Sequence, residues 1–336
     1  MIFGVCLIAS SPYRYRPNPV ASGALVSLFG LSLVGCLVIA ATTAASRGRW
    51  RWLSFTVPVC AACALEIVGY AARLGSWSDP WDVRLFAVST GCLTVAPAFV
   101  SAGIYTTISK TVPVIGAKHS LVNPAHYTKL LLADLLGFAL QVIGLIVAFS
   151  DASTSAGLGP NVATGSGLVA AGLAAQLLSL SAFIVLFSAT LARASLAARD
   201  IGLTAFHVHG IERRGSEGRG GGAGGGKGPV PLSLRLKAFM AVSAVSLVCL
   251  LARNLYAIMA ASGGIGGPVA GDEALFVGLD GLMVAQAVVG IVIVHPAWFL
   301  EERTPKSSDT VFSRIIRWQQ QQQRLSWESL PDTGER

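Results

Sequence analysis

The chain has 336 residues, of which 53% are hydrophobic and 12% are charged. Soluble domains carry about 25% charged residues, so this composition, with a mean hydropathy of +0.63, excludes an ordinary soluble domain and indicates a multi-spanning membrane protein. Basic loops facing an anionic leaflet explain the net charge of +8. Nucleic-acid binding is not expected, because no basic face alternates with aromatic residues.

Seven apolar segments are long enough to cross a bilayer, which takes about 20 residues of helix. In chain order they are Val20–Ala45, Leu53–Arg73, Arg84–Ser109, Lys129–Phe149, Gly165–Ala192, Lys237–Ala261 and Ala274–Phe299. We therefore predict an all-α membrane protein in which residues 20–299 form a seven-transmembrane-helix bundle.

The segments outside these helices show no pattern of a further domain. Residues 1–19 are predicted to be an N-terminal extension, in which "MIFGVCLIAS" stays as an uncleaved, flexible segment because it lacks the basic start of a signal peptide. Residues 212–229, "ERRGSEGRGGGAGGGKGP", are predicted to be a flexible linker. A phosphate-binding loop would need a preceding strand and a Ser or Thr after "GK". Residues 300–336 are predicted to be a largely disordered tail, with a candidate surface helix at Ile315–Trp318.

Lysine and arginine concentrate in alternate connections, which predicts the orientation because short loops rich in them stay cytoplasmic. In the first and third connections these residues are Arg47, Arg49, Arg51, Lys110, Lys118 and Lys129, and the fifth connection is basic between Arg193 and Lys237. The other connections are acidic, with Asp79, Asp82, Asp151, Asp272 and Glu273. The N-terminus is therefore predicted outside and the C-terminus in the cytoplasm, with Arg14 and Arg16 as the exception.

All six cysteines lie in apolar segments, and none lies in a predicted outside loop, where disulfides form. "CAAC" at Cys60–Cys63 has a redox or zinc spacing, but it lies inside a helix without a histidine or a second pair. Packing between helices is the expected role. No metal or cofactor site is predicted.

Polar side chains inside the predicted helices carry the functional signal, because an unpaired charge costs about 2.5–3.5 kcal/mol at the bilayer centre. In chain order they are Glu66, Tyr70, Arg73, Asp134, Gln141, Gln176, Arg253, Tyr256, Asp280 and Gln286, with His295 at the end of the seventh helix. A separation of seven residues returns to nearly the same helix face. Glu66 therefore shares a face with Arg73, as Asp134 does with Gln141, and both faces are expected to point into the bundle.

Arg253 is a basic residue well inside a helix, so it needs an acidic partner among Glu66, Asp134 and Asp280. We expect Glu66 to be that partner, with Asp280 as the next candidate. Arg73 lies nearer the outer end of its helix and is expected to snorkel to the interface beside Trp77 and Trp81.

The three glutamines have a different expected role. Gln141, Gln176 and Gln286 are expected to act as interhelical contacts, which contribute about 0.6 kcal/mol each. For Glu66, Asp134, Arg253 and Asp280 the cost of insertion is several times larger, so function or a buried network around a functional cavity is the favoured interpretation.

Four motifs resemble, in order and spacing, the fungal lipid-translocating exporter family, the seven-helix proteins called RTA-like after resistance to aminocholesterol. The motifs are "LEIVGYAAR" from Leu65, "APAFVSAGIY" from Ala96, "DLLGFALQVIG" from Asp134 and "HP" at His295. The resemblance runs from Tyr15 to Pro296, which is nearly all of the chain except the tail.

One part of the family pattern is altered. Around the sixth helix the pattern reads Arg-x-x-Tyr-Arg-x-x-Glu, and Arg253 and Tyr256 match, but Ala257 and Ala260 replace the second Arg and the Glu. The later acidic spacing, Glu273 to Asp280, is kept, with Val277 where an aromatic residue is usual. One charge of each sign is missing, which suggests a pair lost as a unit.

The resemblance implies a fungal membrane protein, not an enzyme, that moves amphipathic lipids such as sphingoid long-chain bases or amine-bearing sterol-like compounds. It also implies a contribution to tolerance of toxic amphiphiles, and the plasma membrane is the expected location. From the residues we expect an internal, partly hydrated cavity near the interface of helices two, six and seven. Its acidic groups would bind a cationic amine head group while the lipid tail stays in the bilayer.

Two other classes of protein remain as alternatives. A seven-helix receptor or sensor for a lipid or small molecule is the main one, and "NPAHY" at Asn123–Tyr127 has a receptor-like pattern. That pattern is predicted in a loop before the fourth helix instead of in the seventh, and the seventh helix has no lysine for a retinal link. A zinc hydrolase needs about three protein ligands, usually histidines, whereas only His295 lies near a helix.

Overall fold

The computed structural model describes residues 11–47, 52–116, 125–150, 160–200, 207–208, 230–231, 234–265 and 267–299. Side chains are described for residues 11–43, 52–111, 129–150, 160–193, 235–265 and 267–299. The segment "MIFGVCLIAS", the linker 212–229 and the tail 300–336 lie outside these residues. The sequence-based expectations for them stay predictions.

Long helices make up almost all of the described chain. They are α1 (Pro19–Arg47), α2 (Leu53–Ser78), α3 (Val83–Gly116), α4 (Ala125–Ala148), α5 (Val162–Asp200) and α6 (Leu234–Ser262). A seventh span runs over Glu273–Phe299. Within the described residues, seven helices are long and apolar enough to cross a membrane, so the seven-helix prediction is confirmed. The two-residue strands β1 (His207–Val208) and β2 (Val230–Pro231) pair antiparallel between α5 and α6.

The seventh span differs from the single continuous helix that the sequence predicts. It consists of α7 (Glu273–Leu275), a π-helical turn (Phe276–Leu282), α8 (Met283–Ile293) and α9 (Pro296–Phe299). The break before α9 follows from Pro296, which has no backbone N–H to continue the helix. His295, the residue before α9, caps this helix, because its Nδ1 accepts a hydrogen bond from Ala297 N at 3.2 Å. The π-helical turn matters for function, because it carries Asp280.

Short polar side chains cap the N-termini of three helices at the same end of the bundle. Asn18 Oδ1 accepts a hydrogen bond from Val20 N at 2.9 Å, Asp82 Oδ1 from Arg84 N at 2.8 Å, and Asp272 Oδ1 from Ala274 N at 3.0 Å. Each bond satisfies a backbone N–H that has no partner within its helix. Two of the acidic residues that indicated orientation therefore also act as helix caps.

Consecutive helices pack against one another from α1 to α6, and the seventh span contacts both α6 and α1. The bundle is therefore closed. Its core consists of aromatic and aliphatic side chains such as Phe29, Phe55, Ile104 and Phe183. Large apolar side chains that remain exposed, such as Leu136 at 70%, lie on outward faces, as expected for helices that meet lipid.

Four glycines hold α4 and α5 at close range. A Cβ at Gly137 would lie 2.8 Å from Gly172 O, and one at Gly144 would lie 2.7 Å from Gly165 O. Backbones at this separation leave no room for side chains, which is the small-residue packing that membrane helices use in place of a hydrophobic driving force.

The structure differs from the prediction for "NPAHY" and agrees with it for "CAAC". α4 begins at Ala125, so His126 and Tyr127 of "NPAHY" are helical and not part of a loop as predicted. Cys60 and Cys63 lie within α2, and the core includes Cys63 together with Cys36 of α1.

Candidate functional site

The strongest polar contact in the bundle is a buried ion pair between α6 and the seventh span. Arg253 donates from Nε to Asp280 Oδ1 at 2.6 Å, and both side chains are almost fully buried, at 3% and 6% exposure. Arg253 Nη2 also donates to the carbonyl oxygen of Leu93 in α3 at 2.7 Å. The expectation that Glu66 pairs with Arg253 is wrong, because the π-helical turn brings Asp280 into hydrogen-bonding contact with the guanidinium group.

Glu66 lies beside this pair without joining it. Its side chain is 1% exposed and close enough to interact electrostatically with both Arg253 and Asp280. Neither carboxylate oxygen has a hydrogen-bond partner among the described residues. A buried polar group without a partner is costly, so Glu66 is a group that a ligand or water would satisfy.

Tyr70 lies one helical turn beyond Glu66 and packs against the π-helical turn. Its hydroxyl group has no partner in the described part of the chain. A Cβ at Gly281 would lie 2.8 Å from that hydroxyl oxygen. Gly281 is therefore required for the close approach of the seventh span to α2.

Arg73 does not snorkel to the interface as predicted. It is 4% exposed, and its guanidinium group lies 4.0 Å from the ring centre of Phe276, 5.1 Å from Tyr13 and 5.3 Å from Tyr15. Its Nη2 also donates a hydrogen bond to the Tyr15 hydroxyl. The physical reason is that residues 11–18 cover this end of α2, so an aromatic enclosure stabilises the cation.

Trp77, expected beside Arg73, instead binds the exposed Arg16. The Arg16 guanidinium lies 4.9 Å from the Trp77 ring centre, and its Nε donates to Trp77 O at 3.0 Å. The N-terminal segment is anchored at two further points. The Tyr13 hydroxyl lies 3.2 Å from Ser76 Oγ, and Asn18 N donates to Glu273 Oε1 at 2.6 Å.

A cavity with an empty volume of about 740 Å³, which includes its open part, lies next to the ion pair. Arg253 and Asp280 line it, together with Arg73, Tyr13 and Tyr256. Most of its wall comes from α3 and α6, with smaller parts from the seventh span, α5 and α4. The expected location at helices two, six and seven therefore needs correction. α2 contributes only Arg73 to the wall, and Glu66 and Tyr70 lie behind it.

The two alanines that depart from the family pattern lie on this wall. Ala257 and Ala260 both line the cavity, one and two turns beyond Arg253 on α6. Small side chains at these positions leave space beside the ion pair. The missing charges therefore fall at the candidate site itself, which the sequence alone could not show.

Asp134 and Gln141 are buried elsewhere in the bundle. Asp134 is 5% exposed, and its Oδ2 accepts from Ser101 Oγ at 3.4 Å. Ser101 is eight residues from Leu93 on α3, or about 12 Å along the axis, so the structure does not bring Asp134 to the Arg253–Asp280 pair.

Two of the three glutamines, Gln141 and Gln176, lie in the contact between α4 and α5. A Cβ at Gly172 would lie 2.9 Å from Gln141 Cγ, and a Cβ at Gly137 would lie 2.9 Å from Gln176 Cγ. Both atoms of the Gln141 amide and Nε2 of Gln176 have no partner among the described residues. Gln286 is exposed, because six residues beyond Asp280 place it on roughly the opposite helix face.

His295 joins the end of the seventh span to α2. It is fully buried, its Nε2 lies 3.5 Å from Thr56 Oγ1, and its ring meets Phe55 edge-on at 5.0 Å. Its contacts are structural. Among the residues described, no group of three or more His, Cys, Asp or Glu side chains could hold a metal ion.

Sequence reasoning missed the aromatic groups around Arg73. Tyr13 and Tyr15 belong to "YRYRP", just before the first helix, and Phe276 lies more than 200 residues later. Alternating aromatic and basic residues were the available signal for the first two. Nothing in the sequence around Phe276 indicated its contact with Arg73, because that contact depends on how the seventh span packs against the rest of the bundle.

Together these features define a multi-pass integral membrane protein with a buried ionic centre beside an internal cavity. A family model described as "RTA1 like protein" matches residues 59–303, which is most of the chain. The chain therefore belongs to the RTA1-like family, and the resemblance drawn from the motifs is confirmed.

Similar characterised proteins come from Saccharomyces cerevisiae. The sphingoid long-chain base transporter RSB1 of strain Lalvin EC1118 is 27% identical over 268 residues, covering 76% of this chain and 67% of that protein. Protoporphyrin uptake protein 1 is 30% identical over 131 residues, covering 38% of this chain and 41% of that protein. Protein RTM1 is 29% identical over 132 residues, covering 38% and 40%. No solved structure gives a significant match.

Proposed function

We propose that this protein moves single amphipathic lipids across a membrane, with sphingoid long-chain bases as the main substrate class, and so contributes to tolerance of toxic amphiphiles. The observation that carries the proposal is the buried Arg253–Asp280 pair on the wall of an open cavity. Family membership and the similarity to a protein named as a sphingoid long-chain base transporter support the choice of substrate.

The charges at the cavity suit an amphiphile with a cationic head group. A carboxylate can accept about four hydrogen bonds, and Asp280 accepts one from Arg253. Asp280 also lines the cavity, where an ammonium group would use its remaining acceptor capacity. Glu66 provides a second carboxyl group directly behind the pair, and Tyr256 provides a hydroxyl with no partner in the described residues.

The pair also solves the problem of leaving a charge in the membrane when no substrate is bound. An uncompensated buried charge costs about 3–5 kcal/mol. Arg253 neutralises Asp280 in the empty site, so the Asp280 carboxylate is not left without a cation when no substrate is bound.

The proposal includes an orientation with the N-terminus outside and the C-terminus in the cytoplasm, supported by the basic first, third and fifth connections. In this orientation the cavity lies in the outer half of the bundle, since Tyr13, Ala260 and Phe276 line it. We place the protein in the plasma membrane, where export of toxic amphiphiles would be effective.

Export of a labelled long-chain base from yeast lacking its own exporters tests the proposal. Cells expressing the wild-type chain should release the base faster than cells with an empty vector. Release at the empty-vector rate, with the protein present in the plasma membrane, would reject the proposed substrate class. Release equal to that of empty-vector cells, together with a change in how the cells respond to external base, would favour a sensor instead.

A further inference from the structure

A second polar group lies in the other half of the bundle, at a groove on the surface of α3 and α4. The groove has an empty volume of about 650 Å³, which includes its open side, and is lined by Phe99, Ala102, Leu132, Asp134, Leu135 and Phe138, among others. Leu132 and Leu135 are each 59% exposed, so the groove opens on a face that meets lipid. Asp134 is the ionisable residue in its lining.

The Asp134 carboxyl group is poorly satisfied by the protein. Its Oδ1 is buried with no hydrogen-bond partner among the residues the structure describes. Its Oδ2 accepts only the long 3.4 Å contact from Ser101 Oγ, and that hydroxyl has a shorter bond of 2.9 Å to Ala98 O. A hydroxyl group has one proton to donate, so the bond to Ala98 leaves Asp134 without a good donor.

A purely structural role does not account for this arrangement. Interhelical polar contacts contribute only about 0.6 kcal/mol on average, and Oδ1 has no partner among the described residues to contribute even that. The Tyr105 and Ser179 hydroxyl groups lie close to the carboxyl group, but the Ser179 hydroxyl donates to Leu130 O at 3.0 Å. Hydrogen-bonding capacity therefore remains at Asp134 Oδ1, which has no partner among the described residues.

We propose that this groove is a second lipid-binding site, for a single-chain amphiphile whose protonated amine binds Asp134. The chain of the ligand would lie along the apolar wall formed by Phe99, Leu135 and Phe138. Charge complementarity selects the head group, because one carboxyl group in an otherwise apolar groove favours a cation and disfavours an anionic phospholipid.

This site is distinct from the cavity. Leu145, the α4 residue on the cavity wall, is eleven residues beyond Asp134, or about 16 Å along the helix axis. Asp134 is only five residues, or about 8 Å, from Lys129 at the other end of the span. The inference rests on the proposed function, since it assigns the groove to the same substrate class. It adds that the base is first bound from one leaflet at Asp134 and later reaches Asp280.

Photolabelling of the full-length protein in lipid nanodiscs tests the site. The probe is a long-chain base with a diazirine in its alkyl chain, and labelled peptides are identified by mass spectrometry. The wild type should be labelled within residues 98–102 and 131–138. Asp134→Asn should weaken labelling there about tenfold, as should Ala102→Phe, which fills the groove without changing the carboxyl group. Leu136→Phe is the matched control, because Leu136 is 70% exposed on the same helix and should leave labelling unchanged.

The following labelling results would overturn the proposed amine-binding site. Undiminished labelling in both groove variants, or equal labelling by the N-acetylated probe without a charge, would overturn the amine site. A change in oligomeric state with Ala102→Phe, and no competition by unlabelled base, would show that a second copy occupies the groove and would also overturn it. Groove labelling is read separately from export, so normal export without groove labelling rejects this site alone, whereas absent export in the wild type rejects the proposed function.

Discussion

Arg253 and Asp280 are 27 residues apart in sequence and bind each other at 2.6 Å across the contact between α6 and the π-helical turn. The Arg253 guanidinium also donates to Leu93 O, so a single side chain connects α3, α6 and the seventh span. π-helical turns are rare and occur often at functional sites. Here the turn sets the position of the carboxylate at the cavity.

The pair should show strong energetic coupling. Arg253→Gln or Asp280→Asn alone leaves the other group buried and unpaired, which costs about 3–5 kcal/mol. Each single variant should therefore lower the thermal unfolding midpoint in detergent markedly, and the double variant should recover much of the loss. Glu66→Gln is the comparison variant: it neutralises a neighbouring group without removing a hydrogen bond among the described residues, so it should lower the midpoint less than either single variant. Strict additivity of the two single effects would show that the ion pair is not formed.

Close packing of α4 and α5 gives a second test. A Cβ at Gly172 would lie 2.9 Å from Gln141 Cγ, whereas one at Gly167 on the same helix would meet nothing within 4 Å. Gly172→Ala should destabilise the protein by about 1–3 kcal/mol through overpacking. Gly167→Ala should be neutral, or stabilising by up to about 1 kcal/mol from helix propensity. Thermal unfolding of the two variants side by side measures the difference, and equal midpoints would contradict the packing.

Two arginines stack on aromatic rings but differ greatly in burial. Comparing substitutions at the two positions measures how much the enclosure by the N-terminal segment stabilises the buried cation. Arg73 is enclosed by three rings, whereas Arg16 lies exposed on Trp77. Arg73→Gln should cost about 2 kcal/mol or more, and Arg16→Gln about 0.5–1 kcal/mol. If Arg73 were at the lipid interface, as the sequence alone suggested, both losses would be small. Limited proteolysis before Pro19 should also become faster in Arg73→Gln, and by less in Arg16→Gln.

Orientation can be measured directly, because the chain contains no Asn-x-Ser/Thr sequence of its own. A glycosylation acceptor inserted near Gly157, between α4 and α5, should be modified in the secretory pathway. An acceptor inserted after Gly220, in the basic fifth connection, should stay unmodified. The reverse pattern would invert the proposed topology and move the cavity to the cytoplasmic half of the bundle.

The helices could be predicted from the sequence because each depends on its own apolar residues. The burial of Glu66 and of Arg253 also followed from the cost of exposing a charge to lipid. Which charges pair could not be predicted, because the choice between Glu66 and Asp280 depends on a local π-helical turn that helical periodicity does not reveal. The enclosure of Arg73 depends on how residues 11–18 fold back over α2, which involves contacts remote in sequence.

Transport by the purified protein tests the central claim most directly. The chain would be reconstituted in liposomes, and transfer of a labelled long-chain base between leaflets compared with protein-free liposomes. The account predicts faster transfer with the wild type, loss of that gain with Ala257→Phe, which fills the cavity wall, and no loss with Ala241→Phe on the exposed face of α6. Transfer at the protein-free rate with the wild type, or full activity of Ala257→Phe, would contradict a lipid transporter that works through this cavity.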